Sequence, residues 1–241
     1  MDNTKTVLRV GVYNNFNFTD KELEDVKQYE GSYLPFVNSN SFVTIKGDYP
    51  SIITVNPYLD SWQEPVGDLS NLKACRVKWV EGATDQAHQA QMAAIDWCLN
   101  HAVPVLLTFM RFRCKASMDH FVADSGKSNY HFRSGYYRLV SRKAEEIYAR
   151  VLDYAAKTTE LGLIYACDLD GGGCPDCGNC TKLTYQIEAP VASLSLSSSG
   201  DAGGCIFHCP DCWAKNMGKF VSFKYDQVTI NNKQRGKVKH E

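Results

Sequence analysis

The sequence has no long apolar run: nowhere do roughly 18 consecutive residues stay apolar, so no membrane-spanning helix is expected. The start, Met1-Asp2-Asn3-Thr4-Lys5, does not open onto the apolar stretch of an export signal but leads into a short strand-like segment. A chain without export is expected in the cytoplasm, where disulfides are disfavoured. Charge of one sign is also lacking, since 26 Lys and Arg stand against 27 Asp and Glu, a formal net charge of −1. That balance excludes coating of nucleic acid by bulk electrostatics, although not a local patch. No repeat at solenoid periods is visible. Gly126-Lys127-Ser128 lacks the earlier glycine and the strand-to-helix setting of a phosphate-binding loop, which excludes that reading. No nucleophile and base stand out as a pair, so no catalytic residue is assigned, and neither substrate nor partner is legible.

What is present suits a globular protein with a real core. With 241 residues, 44% of them hydrophobic, the chain does not need cysteines to compensate for small size. Leu8 to Tyr13, Phe42 to Lys46 and Ser51 to Val55 are short β-branched or aromatic runs bounded by turn residues. Between the first two, Thr19 and Glu22 have the spacing of a capping box ahead of Leu23, Val26 and Tyr29. This stretch reads as a β-rich N-terminal cap containing a hairpin.

From residue 73 the rhythm changes. Ala74 to Val80 reads as a strand, and Thr84 starts a helix with Ala87, Gln91, Ala94, Ile95 and Cys98 on one side. The apolar run Val103 to Met110 is typical of a strand covered on both faces. A helix over 141–159 follows, with Ala144, Ile147, Tyr148, Val151 and Ala155 at helical spacing; strand-like Leu161 to Ala166 and Val191 to Ser197 come after it. Alternating strands and helices predict an α/β fold with a mainly parallel sheet, open or a partial barrel, joined by right-handed crossovers. The expected organisation is a β-rich cap over 1–72, an α/β core over 73–166, a small cysteine-rich C-terminal metal-binding region over 167–230 packed on the core, and a basic tail over 231–241. In parallel sheets function gathers at the carboxyl ends of strands, which points to Arg111, Asp168 and Asp170. Tyr130, Tyr136 and Tyr137 with Arg133 and Arg138 read either as a stacking surface or as packing against the sheet.

Seven of the ten cysteines crowd into this last third: Cys167, Cys174, Cys177, Cys180, Cys205, Cys209 and Cys212. Cys75 and Cys98 read as small buried hydrophobes, and Cys114 sits beside two arginines at a strand end. Two pieces match, Cys174-Pro175-Asp176-Cys177 and Cys209-Pro210-Asp211-Cys212. Such a turn aims two thiolates at one ion, and two turns supply the four soft ligands of a tetrahedral zinc site. The pair resembles the knuckles of a zinc ribbon over residues 174–213, departing from it in a long insert, with strand-like Leu183 to Ile187 and Val191 to Leu196, and in the surplus cysteines. The resemblance implies structural zinc on Cys174, Cys177, Cys209 and Cys212.

The surplus supports a second reading. Cys174, Cys177 and Cys180 have spacing used around iron–sulfur clusters. Cys205-x3-Cys209-x2-Cys212, followed by Trp213-Ala214-Lys215, is similar to the cysteine motif of radical SAM enzymes and of phage-encoded relatives of them. That resemblance implies a 4Fe–4S cluster, with Cys167, Cys174, Cys177 and Cys180 able to fill a further four-thiolate site. It departs from the family in position, because only the end of the chain follows Cys212, and in Asp211, where an aromatic is usual. His208 is a candidate fourth ligand or a packing residue.

Overall fold

Alternation along the strands explains the architecture. In the computed structural model, residues 6–11, 16–40, 44–56, 62–158, 163–167, 179–186, 191–194 and 229–230 are described. The chain runs β1 (Thr6–Val10), α1 (Asp20–Lys27), β2 (Tyr33–Asn40), β3 (Thr44–Ile45), β4 (Ser51–Val55), β5 (Val66–Gly67), β6 (Leu72–Trp79), α2 (Asp85–Asn100) and β7 (Val105–Phe109). It continues with α3 (Lys115–Phe121), α4 (Asp124–Lys127), β8 (Tyr130–Arg133), β9 (Tyr136–Leu139), α5 (Ser141–Thr158), β10 (Ile164–Cys167), α6 (Asn179–Tyr185), β11 (Val191–Leu194) and β12 (Thr229–Ile230). Eight strands form one sheet in the order β10-β7-β6-β4-β2-β1-β11-β12. From β10 to β1 every pairing is parallel, and the sheet curls into a half-barrel. The α/β class with a parallel, partly barrelled sheet is therefore as expected.

Each strand shows one side to helices. Leu8, Val10, Val37, Ile53, Val55, Cys75, Val77, Val105 and Leu107 form the main core with Val26 of α1, Ala94, Ile95 and Cys98 of α2, and Ala144, Ile147 and Val151 of α5. Thr19 caps α1 through the expected box: Glu22 N–H donates to the Thr19 hydroxyl, and Glu22 Oε2 accepts from Thr19 N–H at 3.1 Å. Thr84 likewise caps α2, whose five expected core positions are all buried.

Two expectations need correction, and one strand lies outside them. Among the described residues no hairpin joins the N-terminal strands: β1, β2 and β4 pair in parallel and lie in the same sheet as β6 and β7. Strand β2 itself was not anticipated, because Pro35 and the run Asn38-Ser39-Asn40 oppose a strand reading. Pro35 is tolerated because β4 joins β2 only from Val37 onward, leaving Pro35 with a neighbour strand on one side. The stretch around Leu183 is helical rather than extended, since α6 covers the second face of the sheet with Cys180 and Leu183. Packing outweighs the β preference of Thr184 and Tyr185 there.

The crossover from β7 to β10 holds more than a loop. Antiparallel β8 and β9 meet at Ser134-Gly135, where both residues take positive φ (52° and 81°), the pattern of a two-residue hairpin turn. Below it Gly82 (φ 65°) abuts Gly126 so closely that a Cβ on Gly82 would lie 2.6 Å from the Gly126 Cα. The Lys127 ammonium pairs with Asp119 and Asp124, which gives Gly126-Lys127-Ser128 a structural setting. No helix among the described residues is long and apolar enough to cross a membrane.

Candidate functional site

The second, concave face of the sheet changes character along the strands. Near the amino ends it is apolar, with Val7, Phe36, Ile52, Ala74 and Leu106 packed together with Cys167 and Cys180. Toward the carboxyl ends the same alternation places Arg9, Asn38, Asn40, Thr54, Arg76, Lys78 and Thr108 on that face. The register sets Thr54 beside Arg76, Lys78 beside Thr108, and Thr108 beside Cys167. Neighbouring strands lie about 4.8 Å apart, so these side chains form a continuous polar floor.

Asn38 is the hub of its lower layer. Its Oδ1 accepts from Arg76 Nη1 at 2.6 Å, from Thr54 Oγ1 at 2.9 Å and from Arg9 Nη2 at 3.3 Å. Its Nδ2 donates to the Gly11 carbonyl at 3.3 Å. Arg76, only 3% exposed, uses Nη2 to reach Cys180 Sγ at 3.0 Å, tying α6 to the sheet. A buried guanidinium must be hydrogen-bonded to be tolerated, and these contacts meet that demand.

Other polar groups of the floor are not satisfied. The Oδ1 atoms of Asn40 and Asn56 and the Oγ1 of Thr108 are buried without a hydrogen-bond partner among the described residues. Lys78, with its stem enclosed, has no hydrogen bond or ion pair there; its amine is pushed down to about 8, first by burial and then by Arg76 and Arg9. Positive charge is therefore concentrated on one face, and none of the described concave positions named above is acidic. Such a floor favours negative charge near Lys78.

The predicted site residues divide into two groups. Cys167 and Cys180 are buried together on the concave face, at the two ends of the segment that contains Cys174 and Cys177. Asn179 Nδ2 donates to the Ala166 carbonyl at 2.9 Å, so that segment leaves and re-enters at one place. Cys174, Cys177, Cys205, Cys209 and Cys212, with His208, Asp168, Asp170 and the basic tail, lie outside the described residues. Among the described residues no three His, Cys, Asp or Glu side chains converge as metal ligands.

The other candidates lie elsewhere in the fold. Cys75 and Cys98 are buried, and the Cys98 thiol is pushed well up by its hydrogen bond to Cys75 and by burial, which makes it unreactive. Cys114 lies at the N-terminus of α3, with Sγ 3.2 Å from Ser117 Oγ. Tyr130 is buried against Phe112, and its hydroxyl accepts from Glu81 N–H at 3.0 Å. Tyr137 sits against Phe132, while Tyr136 lies under the guanidinium groups of Arg113 and Arg138. Arg111 faces this hairpin; burial, then Arg138, lower its proton affinity. Of the hairpin aromatics, Tyr130 is thus buried, Tyr136 and Tyr137 are half-buried and Phe132 is exposed.

Sequence reasoning missed the floor, although a signal existed. In Leu72–Trp79, Arg76 and Lys78 share the face opposite Cys75, Val77 and Trp79. Read alone, such alternation says polar-out; in a sheet covered on both sides, the second face is interior too. Compared with family models, curated proteins and solved structures, the chain matches none.

Proposed function

We propose that this chain is a cytoplasmic metal-binding protein whose cysteine-rich segment forms a structural zinc site at the mouth of the half-barrel, in an interaction or scaffold role. The observation that supports this is the shared burial of Cys167 and Cys180 on the concave face, with Asn179 bonded to Ala166, so that the two ends flanking the Cys174 and Cys177 segment are held together. In such a site the Cys174–Cys177 pair and the matching Cys209–Cys212 pair would together supply the four soft ligands. The zinc would be structural: binding free energy in isolated zinc modules reaches on the order of ten kcal/mol, enough to hold a segment with little core of its own.

A second reading has its own support. A curled parallel sheet with a buried cationic floor at its carboxyl ends is where an enzyme of this class keeps its chemistry. Cysteines adjoining that floor favour a 4Fe–4S cluster and a radical SAM-like, phage-related activity. Anaerobic purification with elemental analysis separates the two. Zinc gives a colourless protein with bound metal that is lost together in the Cys174→Ser and Cys209→Ser variants. An iron–sulfur cluster gives a brown protein with broad absorbance near about 400 nm that bleaches on reduction. A well-folded chain that retains neither metal ends both readings.

A further inference from the structure

We propose that the β8–β9 hairpin binds single-stranded nucleic acid, its arginines meeting phosphates and Phe132 carrying a stacked base. The surface rests on neither metal reading and uses no cysteine.

The ribbon is rooted at one end and open at the other. At its base Tyr130 and Leu139 are buried, and Phe112, just past β7, exchanges backbone hydrogen bonds with Tyr137 at 3.0 and 2.7 Å. At its tip Ser134 and Gly135 are exposed, and a Cβ on Gly135 would meet nothing within 4 Å. Tyr130 pairs with Leu139 and Arg133 with Tyr136, so strand alternation sorts the side chains. His131, Arg133, Tyr136 and Arg138 share one face, and Phe132 shares the other with Tyr130, Tyr137 and Leu139.

Charge here has one sign. Between Ser125 and Ala144 stand Lys127, Arg133, Arg138, Arg142 and Lys143, with no Asp or Glu. Lys127 and Lys143 are matched by carboxylates from outside that stretch or from its border. Arg113 and Arg133 are exposed and form no ion pair with a described residue. The Arg113 and Arg138 guanidinium carbons lie 5.9 and 5.7 Å from the centre of the Tyr136 ring. A guanidinium held near a ring is partly ordered before its N–H edge meets a phosphate.

Phe132 decides which anion fits. It is 62% exposed, with its ring 5.0 Å from that of Tyr137. Among the described residues β8 pairs with β9 alone, so His131, Phe132 and Arg133 lie along an open edge. A strand following that edge reaches Arg133 on one face and Phe132 on the other. Unpaired bases offer rings to stack there; a duplex hides them, and an acidic peptide would use the arginines and leave Phe132 without a role.

Fluorescence anisotropy on the full chain, with its metal content as purified, tests the surface. The probes are labelled oligothymidylate and oligouridylate of about 12 nucleotides, within the span such surfaces cover. At least one should bind saturably below about 100 μM at about 50 mM salt. Phe132→Ser should weaken it at least about fivefold. Arg133→Gln should weaken it about threefold or more and flatten the slope of log affinity against log salt by about 0.7. Arg113→Gln repeats the charge test at a second exposed position. Lys27→Gln, which removes an exposed charge from α1, should change nothing. Absence of saturation with both probes, or parent-like binding by folded Phe132→Ser or Arg133→Gln, overturns the proposal. So does displacement by a polyglutamate peptide as readily as by unlabelled strand, which would mean that the surface reads charge alone.

Discussion

Replacing Lys78 with methionine should make the protein more stable at neutral pH. The change keeps the length and most of the volume of the side chain while removing its charge. In the folded chain the Lys78 amine gives up its proton near 8, compared with 10.5 when unperturbed. Each tenfold change in proton affinity corresponds to about 1.4 kcal/mol, so the burden of keeping this residue charged is about 3 kcal/mol. Its partial exposure lowers the expected effect to about 2 kcal/mol. The sign is fixed by proton counting: between the two values the unfolded chain holds more proton, so rising pH favours the folded state. The destabilisation is thus complete below about 8 and relieved as pH approaches 10.5.

Other groups oppose this trend, which is why the comparison must be between proteins. Burial raises Tyr49, Tyr130 and Tyr185, and the bond to Cys75 raises Cys98, so each costs stability once its unfolded form ionises. They are common to parent and variant and cancel in the difference. Urea unfolding followed by tryptophan fluorescence, from about pH 7 to about pH 10 in phosphate-free buffer, measures that difference. The variant should lead by about 2 kcal/mol at the low end, and the lead should shrink toward zero at the high end. Equal midpoints at neutral pH, or a lead that does not change with pH, would refute the assignment of an uncompensated charge to Lys78.

Gly82→Ala should cost about 2–4 kcal/mol in the same assay, because a methyl group must displace Gly126 and strain a residue at φ 65°. Thr19→Ala should cost about 1 kcal/mol through loss of the α1 cap, and Thr19→Ser should restore most of it. Ile147→Ala, which empties a fully buried position of α5, should cost about 2–5 kcal/mol. Treatment with a strong chelator should lower the thermal midpoint if the cysteine segment holds zinc, and added zinc should restore it; an unchanged midpoint would argue against a structural metal.

Elements with local signatures were legible in the sequence. The Thr19–Glu22 box, the apolar stripe of α2 and the 141–158 helix each follow from spacing alone. Strands β6, β7 and β10 follow from apolar runs, and parallel pairing follows from their alternation with helices. What escaped depends on distant partners. Strand β2 combines Pro35 with Asn38 and Asn40, which look like turn residues until Arg76, Thr54 and Arg9 are brought beside Asn38. Helix α6 has no strong helical signature and owes its form to the concave face. Of the seven expected metal ligands, Cys167 and Cys180 belong to one buried cluster, and the other five lie outside the described residues. The cationic floor was legible only in part: alternation in Leu72–Trp79 puts Arg76 and Lys78 on one face, but no short motif links them to Arg9 and Asn38.

Strand β1 pairs on one side with β2 and on the other with β11, Val7 opposite Val191. During synthesis one flank of β1 therefore stays unpaired until most of the polypeptide has left the ribosome. An open parallel edge rich in valine and leucine is a template for a neighbouring nascent chain. Its slow, long-range closure should make refolding yield fall as protein concentration rises. Truncations that remove β11 should then aggregate through β1 even where the remaining fold is intact.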